Sequence, residues 1–163
     1  MIKIAQTARS YLAAVLAGTA ACVVALPAAA ATPFDTLAGS WSGNGKATFD
    51  NGQSEALRCS AMYRSLSNGA QLRLAIRCAS ASAKVDLRAT LAHAGGRVSG
   101  NWEERTYNAG GTVSGTASGS SVRLAFTGGI GGTMSLSVSR SSHQVSINAA
   151  GSSLRTVSMN LSK

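Results

Sequence analysis

The sequence offers few side chains that could perform acid–base, nucleophilic or metal chemistry. It contains two histidines and six carboxylates among 163 residues. Neither His93 nor His143 has an Asp or Glu at a spacing typical of metal ligands. The sequence has no Walker, Rossmann, His-x-x-x-His or Cys-x-x-Cys pattern, and no serine has a recognisable base with an orienting acid. We therefore expect no enzymatic activity, no cofactor and no metal site.

Cys59 and Cys78 are predicted to form a disulfide across a hairpin. Asn68-Gly69 lies midway between them and is the strongest short hairpin signal, because both central positions of a type I′ turn take positive φ. A two-residue turn there places the cysteines directly opposite each other, within reach of a disulfide. Counting residues outward from this turn makes the cysteines a hydrogen-bonded pair, in which the side chains lie less close than in a non-hydrogen-bonded pair. Two free buried thiols are the alternative.

The first 31 residues have the organisation of a secretory signal peptide. Lys3 and Arg9 precede an apolar run, and a stretch of alanines follows it. We expect cleavage of this signal helix near Ala29–Ala31. Residues 32–163 then form a periplasmic or secreted domain, in a compartment where disulfides persist.

A retained membrane anchor, and a lipoprotein that is cleaved before Cys22 and lipidated there, are the alternatives to cleavage near Ala29–Ala31. The apolar run is shorter than the roughly 20 residues of a transmembrane helix, and no second run follows it. Cys22 lacks the usual leucine three residues before it, and the apolar run continues beyond it. These observations favour cleavage near Ala29–Ala31, so we expect no stable transmembrane anchor after processing.

Beyond the signal region, apolar and polar residues alternate with a period of two, which is the pattern of half-buried β-strands. Val85, Leu87 and Leu91 belong to one such run. Ten runs are separated by turn residues: 40–50, 54–66, 70–79, 83–92, 97–107, 111–118, 121–127, 133–140, 143–149 and 154–162. No run shows a helical period, so no helix is expected to cover the apolar face of the sheet. We therefore expect a single all-β domain, an antiparallel up-and-down meander of about ten strands closing into a barrel, with a sandwich as the alternative.

The turns also predict which residues face each other. A turn at Ala94-Gly95 places Leu87 opposite Trp102, and other turns place Ile76 opposite Leu87. Both registers keep apolar side chains on one face. Alternate turns share an end of the barrel, so Trp41 and both ends of the domain lie together, while the longer glycine-rich turns surround the other end.

The segment Leu37-Ala38-Gly39-Ser40-Trp41 resembles the Gly-x-Trp start of calycin-type barrels. These include lipocalins, fatty-acid-binding proteins, avidins and periplasmic metalloprotease inhibitors, and the resemblance rests on this segment and the strand count. It implies that Trp41 closes the barrel end nearest the N-terminus, with its indole N–H bonded to an acceptor. In the inhibitors of this type a short N-terminal arm, matched here by Thr32–Asp35, enters the protease cleft.

Alternation directs both large and small side chains into the barrel, where they either pack or leave a ligand cavity. We expect a small, partly apolar ligand in the interior. The candidate contacts are Tyr63, Trp102, Glu104, Thr106, Phe126 and Met134. Glu104 is the one acid that alternation points inward, opposite Val85 and Val113, where a carboxylate needs a partner. A wet strand end or a local bulge is the alternative for Glu104.

The chain is strongly basic, with a formal net charge of +9, and several of its arginines fall on one outer face. Outward-pointing arginines on the disulfide hairpin and the next strand are Arg58, Arg64, Arg73, Arg77 and Arg88. This patch is predicted to meet an anionic envelope surface or an envelope protein, with a simply solvated face as the alternative. The compartment and the scarcity of aromatics argue against nucleic acid. The alternatives to ligand binding are an envelope-associated structural or stress protein and a protease-inhibitor-like module.

Overall fold

The structure, a computed structural model, describes residues 32–163, and the predicted signal peptide lies outside the described residues. One short helix, α1 (Pro33–Leu37), precedes ten strands. The strands are β1 (Gly39–Phe49), β2 (Ser54–Leu66), β3 (Gln71–Ala79), β4 (Lys84–Ala94), β5 (Arg97–Glu104), β6 (Ala109–Ser118), β7 (Ser121–Gly128), β8 (Gly131–Val138), β9 (Ser142–Ala150) and β10 (Leu154–Ser162). Within these residues no helix has the length and apolar character to cross a bilayer.

The ten strands form a closed antiparallel barrel. Each strand pairs with its neighbours in the sequence, and β10 returns to pair with β1 from Ser42↔Ser162 to Phe49↔Leu154. Closure leaves no unpaired sheet edge, which is how an all-β meander covers its apolar face without helices. The predicted ten-stranded up-and-down barrel is confirmed, and the sandwich is excluded.

The predicted disulfide is confirmed. Cys59 lies directly opposite Cys78, with the two Cα atoms 4.1 Å apart. This short distance is typical of a non-hydrogen-bonded pair. The turn explains the difference from the sequence-based count, because Ser67 joins Asn68 and Gly69 in having positive φ. The loop therefore extends over 67–70, and the cysteines occupy the closer type of pair.

The registers expected from the turns are partly confirmed. Ile76 faces Leu87 as predicted. The expected pairing of Leu87 with Trp102 was wrong by two residues, because the turn is Gly95-Gly96 rather than Ala94-Gly95. Ala89 therefore faces Trp102. A shift of two residues keeps every side chain on its own face of the sheet, so the interior composition is unchanged.

Helix α1 is an element that the alternation pattern did not predict. Thr32 caps it by accepting the backbone N–H of Asp35 at 3.4 Å, and Pro33 occupies the first turn, where a missing N–H costs nothing. Phe34 and Leu37 are both buried, and the helix contacts β2 and β8. One turn of helix thus covers one end of the barrel with two apolar side chains.

Candidate ligand-binding site

The inward-facing side chains are buried at one end of the barrel, and several of those at the other end remain partly exposed. At the end covered by α1, which we call the closed end, Trp41, Leu72 and Val145 are each no more than 2% exposed. At the opposite end, the mouth, inward-facing apolar side chains remain partly exposed: Phe49, Leu87, Phe126, Met134, Ile147, Leu154 and Val157. Apolar side chains are therefore accessible to solvent at the mouth, and small-molecule sites are usually lined by such side chains.

Trp41 closes the covered end as expected. Its indole Nε1–H donates to the Leu37 carbonyl at 2.6 Å, so the burial of this polar group is compensated. Lys163 lies over the Trp41 ring at 4.6 Å and donates to the Thr36 carbonyl at 3.4 Å. The two ends of the described chain thus meet at the closed end.

Trp102 and Phe126 form an aromatic pair near the mouth. Their ring centroids are 6.1 Å apart in an edge-to-face arrangement, which is a favourable geometry for aromatic rings. The Trp102 indole donates to the Thr127 carbonyl at 3.1 Å, so its orientation is fixed. Gly111, opposite Trp102, has Thr127 backbone atoms where a Cβ would stand. The glycine therefore permits the close approach of β6 and β7 beside this pair.

Glu104 lies at the rim of the mouth, and its carboxylate binds the turn that follows β5. It accepts the backbone N–H groups of Asp86 at 2.8 Å, Thr106 at 3.1 Å and Tyr107 at 2.6 Å. Burial alone would raise the pKa of Glu104, but these hydrogen bonds hold it below its ordinary value. Its expected neighbours Val85 and Val113 were wrong, by two and four residues respectively, since Leu87 and Ala109 lie opposite it.

The other candidate contacts are divided between three places. Met134 points inward near the mouth, between Leu124 and Ile147 on the flanking strands. Tyr63 is buried at the closed end. Thr106 is exposed in the turn after β5 and lines an outer cleft rather than the interior. The structure therefore brings together Trp102, Phe126 and Met134 at the mouth side, and separates Tyr63 and Thr106 from them.

The closed end contains a histidine to which the sequence assigned no role. His143 lies inside β9 and is 2% exposed. Its ring packs edge-to-face against Trp41 at 4.7 Å and Tyr63 at 5.4 Å. Within residues 32–163 neither imidazole nitrogen has a hydrogen-bond partner, and burial lowers the pKa of His143 to about 4. Its alternation with Val145 was the signal that placed it inward.

The arm expected to enter a protease cleft is part of α1 and is packed on the barrel. Pro33 and Phe34 are buried, and Asp35 accepts a hydrogen bond from the Ser65 hydroxyl at 2.5 Å. Insertion of this segment into another protein would require α1 to leave the closed end. The Thr32-Pro33-Phe34-Asp35 sequence carries a signal for the start of this helix, a capping threonine followed by proline.

The arginine patch lies on the outer face of β2, β3 and β4, as expected. Arg64 faces Arg73 directly. Asp86 pairs with Arg77 at 3.5 Å and with Arg88 at 3.4 Å. The same face contains a cleft of about 510 Å³, which is also lined by Lys84 on β4. In the part of the chain that the structure describes, no three His, Cys, Asp or Glu side chains are grouped so as to hold a metal.

Comparisons with known proteins identify a similar fold. The sequence matches no protein-family model and no curated protein. The structure resembles the crystal structure of Rv2717c from M. tuberculosis, with a TM-score of 0.61 and 14% sequence identity; the match covers 78% of this chain and 92% of that chain. At this identity the similarity concerns the barrel architecture alone.

Proposed function

We propose that this protein is an exported, non-enzymatic barrel of calycin-like type that binds a small, mostly apolar ligand through its mouth. The observation that carries this proposal is the difference between the two ends. Inward-facing apolar side chains are buried beneath α1, but those around the mouth remain partly exposed. The exposed apolar area around the mouth is removed from water when a ligand binds, which contributes about 25 cal/mol per Å².

The polarity of the mouth defines the class of ligand. Phe126, Met134 and Ile147 supply apolar contacts from three adjacent strands. Glu104 at the rim uses its carboxylate to bind three backbone N–H groups. An uncharged ligand with an apolar body therefore fits this end better than an ion does.

The disulfide supports the exported location. A Cys59–Cys78 bond is consistent with an oxidising compartment, as the predicted signal peptide requires. Export places the mouth in the periplasm or outside the cell, where apolar molecules need a carrier or a scavenger because water dissolves them poorly.

Binding of an uncharged fluorescent probe, N-phenyl-1-naphthylamine, tests this function. We expect saturable binding to the domain of residues 32–163, accompanied by quenching of Trp102. The variant Met134→Asp places a charge on the inner face, and we expect it to weaken binding at least tenfold, because the charge must be desolvated.

Ser135→Asp is the matched control, since it adds the same charge to the next residue of β8, on the outer face. It is expected to bind as the wild type does. Circular dichroism and thermal unfolding verify that both variants fold. Absence of binding to the wild type, or equal loss in both variants, would contradict the proposed function.

A further inference from the structure

We propose that the outer face of β2, β3 and β4 carries a binding site for a phosphate group, separate from the interior. The register places two rows of side chains across these strands. Arg58, Ala79 and Lys84 form the first row, since Arg58 faces Ala79 and Ala79 faces Lys84. Ser60, Arg77 and Asp86 form the second row in the same way.

The cleft is formed by a small residue between two long cationic ones. Ala79 occupies the middle strand, so the space between Arg58 and Lys84 is not filled. Neighbouring strands are about 4.8 Å apart, which puts the Cα atoms of Arg58 and Lys84 about 10 Å apart. Both side chains are long enough to meet above Ala79, and both line the 510 Å³ cleft.

Positive charge in this cleft exceeds the negative charge available to balance it. Asp86 is the one carboxylate among the residues that line the cleft, and it already pairs with both Arg77 and Arg88. Neither Arg58 nor Lys84 forms an ion pair with any residue that the structure describes. Two cations at the cleft are therefore left for an external anion.

The set of donors suits a phosphate group better than a carboxylate. A guanidinium group donates two parallel hydrogen bonds to phosphate oxygens, and an ammonium group acts as a compact charge beside them. A tetrahedral phosphate has oxygens for Arg58, Arg77 and Lys84 together, and its charge of about −1.5 to −2 at pH 7 balances the two unpaired cations, which the single charge of a carboxylate does not. The hydroxyls of Ser60 and Thr106 also line the cleft and can donate to a phosphate oxygen.

Phosphate binding is tested by removing the two unpaired cations. The double variant Arg58→Gln/Lys84→Gln keeps long polar side chains at exposed positions. The control Arg97→Gln/Arg123→Gln removes the same net charge from exposed positions on β5 and β7. Two probes are used in 0.1 M salt, where charges more than about 10 Å apart are largely screened. They are inorganic phosphate, followed by calorimetry, and vesicles containing phosphatidylglycerol, compared with phosphatidylcholine vesicles.

We expect the cleft variant to bind at least tenfold more weakly than the wild type, and the control to bind within about twofold of it. Binding of both probes supports a site open to soluble phosphate compounds, and binding of the anionic vesicles alone supports a lipid headgroup as the source. If the wild type binds neither probe, or if the two variants lose binding equally, the proposal is overturned. N-phenyl-1-naphthylamine binding should be unchanged in the cleft variant, so the phosphate site and the proposed ligand site are tested independently.

Discussion

His143 is a single residue whose ionisation opposes folding. It is enclosed by Trp41 and Tyr63 at the closed end, and burial lowers its pKa from 6.5 to about 4. Tyr63 shows the same environment, since burial raises the pKa of its hydroxyl. An imidazole that stays neutral when folded but takes up a proton when unfolded makes stability depend on pH.

We predict that His143→Leu makes the folded protein less sensitive to acid. Between pH 6.5 and about 4 the unfolded chain binds a proton at His143 and the folded chain does not. The contribution of His143 is therefore complete above pH 6.5 and falls as the pH is lowered, by up to about 3 kcal/mol. Urea unfolding at pH 7 and pH 4.5 measures the difference. The prediction fails if wild type and variant lose the same stability between these two pH values.

At the scale of elements, the turn between β2 and β3 is also the surface on which α1 packs. Gly69 in this turn is buried and has φ of +81°. A Cβ there would stand 2.6 Å from Oδ2 of Asp35 and collide with the Thr32 side chain. The same glycine therefore permits the tight reversal and the close approach of the helix N-terminus.

We predict that Gly69→Ala destabilises the protein by more than Gly52→Ala does. Both glycines have nearly the same φ, at 81° and 80°, so both alanines bear a left-handed strain of about 1 kcal/mol. A Cβ on Gly52 meets no atom within 4 Å, whereas one on Gly69 must displace the Thr32 and Asp35 side chains at the N-terminus of α1, which adds about 1–2 kcal/mol. Denaturant unfolding of both variants measures this. Equal losses would show that α1 does not depend on the turn.

The ten strands and their disulfide could be predicted because the decisive features are local. Alternation assigns each side chain to a face, and Asn68-Gly69 sets the register of the hairpin that carries Cys59. Helix α1 could not be found by periodicity, because one turn is too short to show it. The register between β4 and β5 could not be predicted either, because moving a strand by two residues leaves each side chain on the same face.

The candidate site was less accessible to sequence reasoning than the fold. Inward orientation of Trp102, Phe126 and Met134 follows from alternation, but the exposure of Met134 depends on which end of the barrel α1 covers. The binding of Glu104 to the next turn depends on where β5 ends. Strand ends are set by the competition between ladder and turn hydrogen bonds, which a period-two pattern does not report.

At the scale of the whole molecule, burial changes along the barrel axis. Strands run continuously from the closed end to the mouth, so the same strand has a well-packed half and a partly solvated half. In β9, Val145 is fully buried while Ile147 is half-buried. Local opening requires less free energy where fewer apolar contacts are broken.

We predict that the rates of amide hydrogen exchange differ between the two halves of each strand. Hydrogen-bonded amides of β7, β8 and β9 in the half beneath α1 should exchange at least tenfold more slowly than those near the mouth, because they open only with global unfolding. Native-state exchange followed by NMR measures this. The apolar probe should slow exchange in the mouth half. Uniform exchange along each strand would contradict this picture.

The meeting of α1 and Lys163 at the closed end determines how the molecule can be oriented. Lys163 binds the Thr36 carbonyl, so a chain leaving through either Thr32 or Lys163 departs from the side opposite the mouth. A label, a fused partner or a solid support attached at either terminus would stand behind the barrel and leave the entrance free. In a molecule tethered to a surface in this way, the mouth would point away from the surface and into solvent.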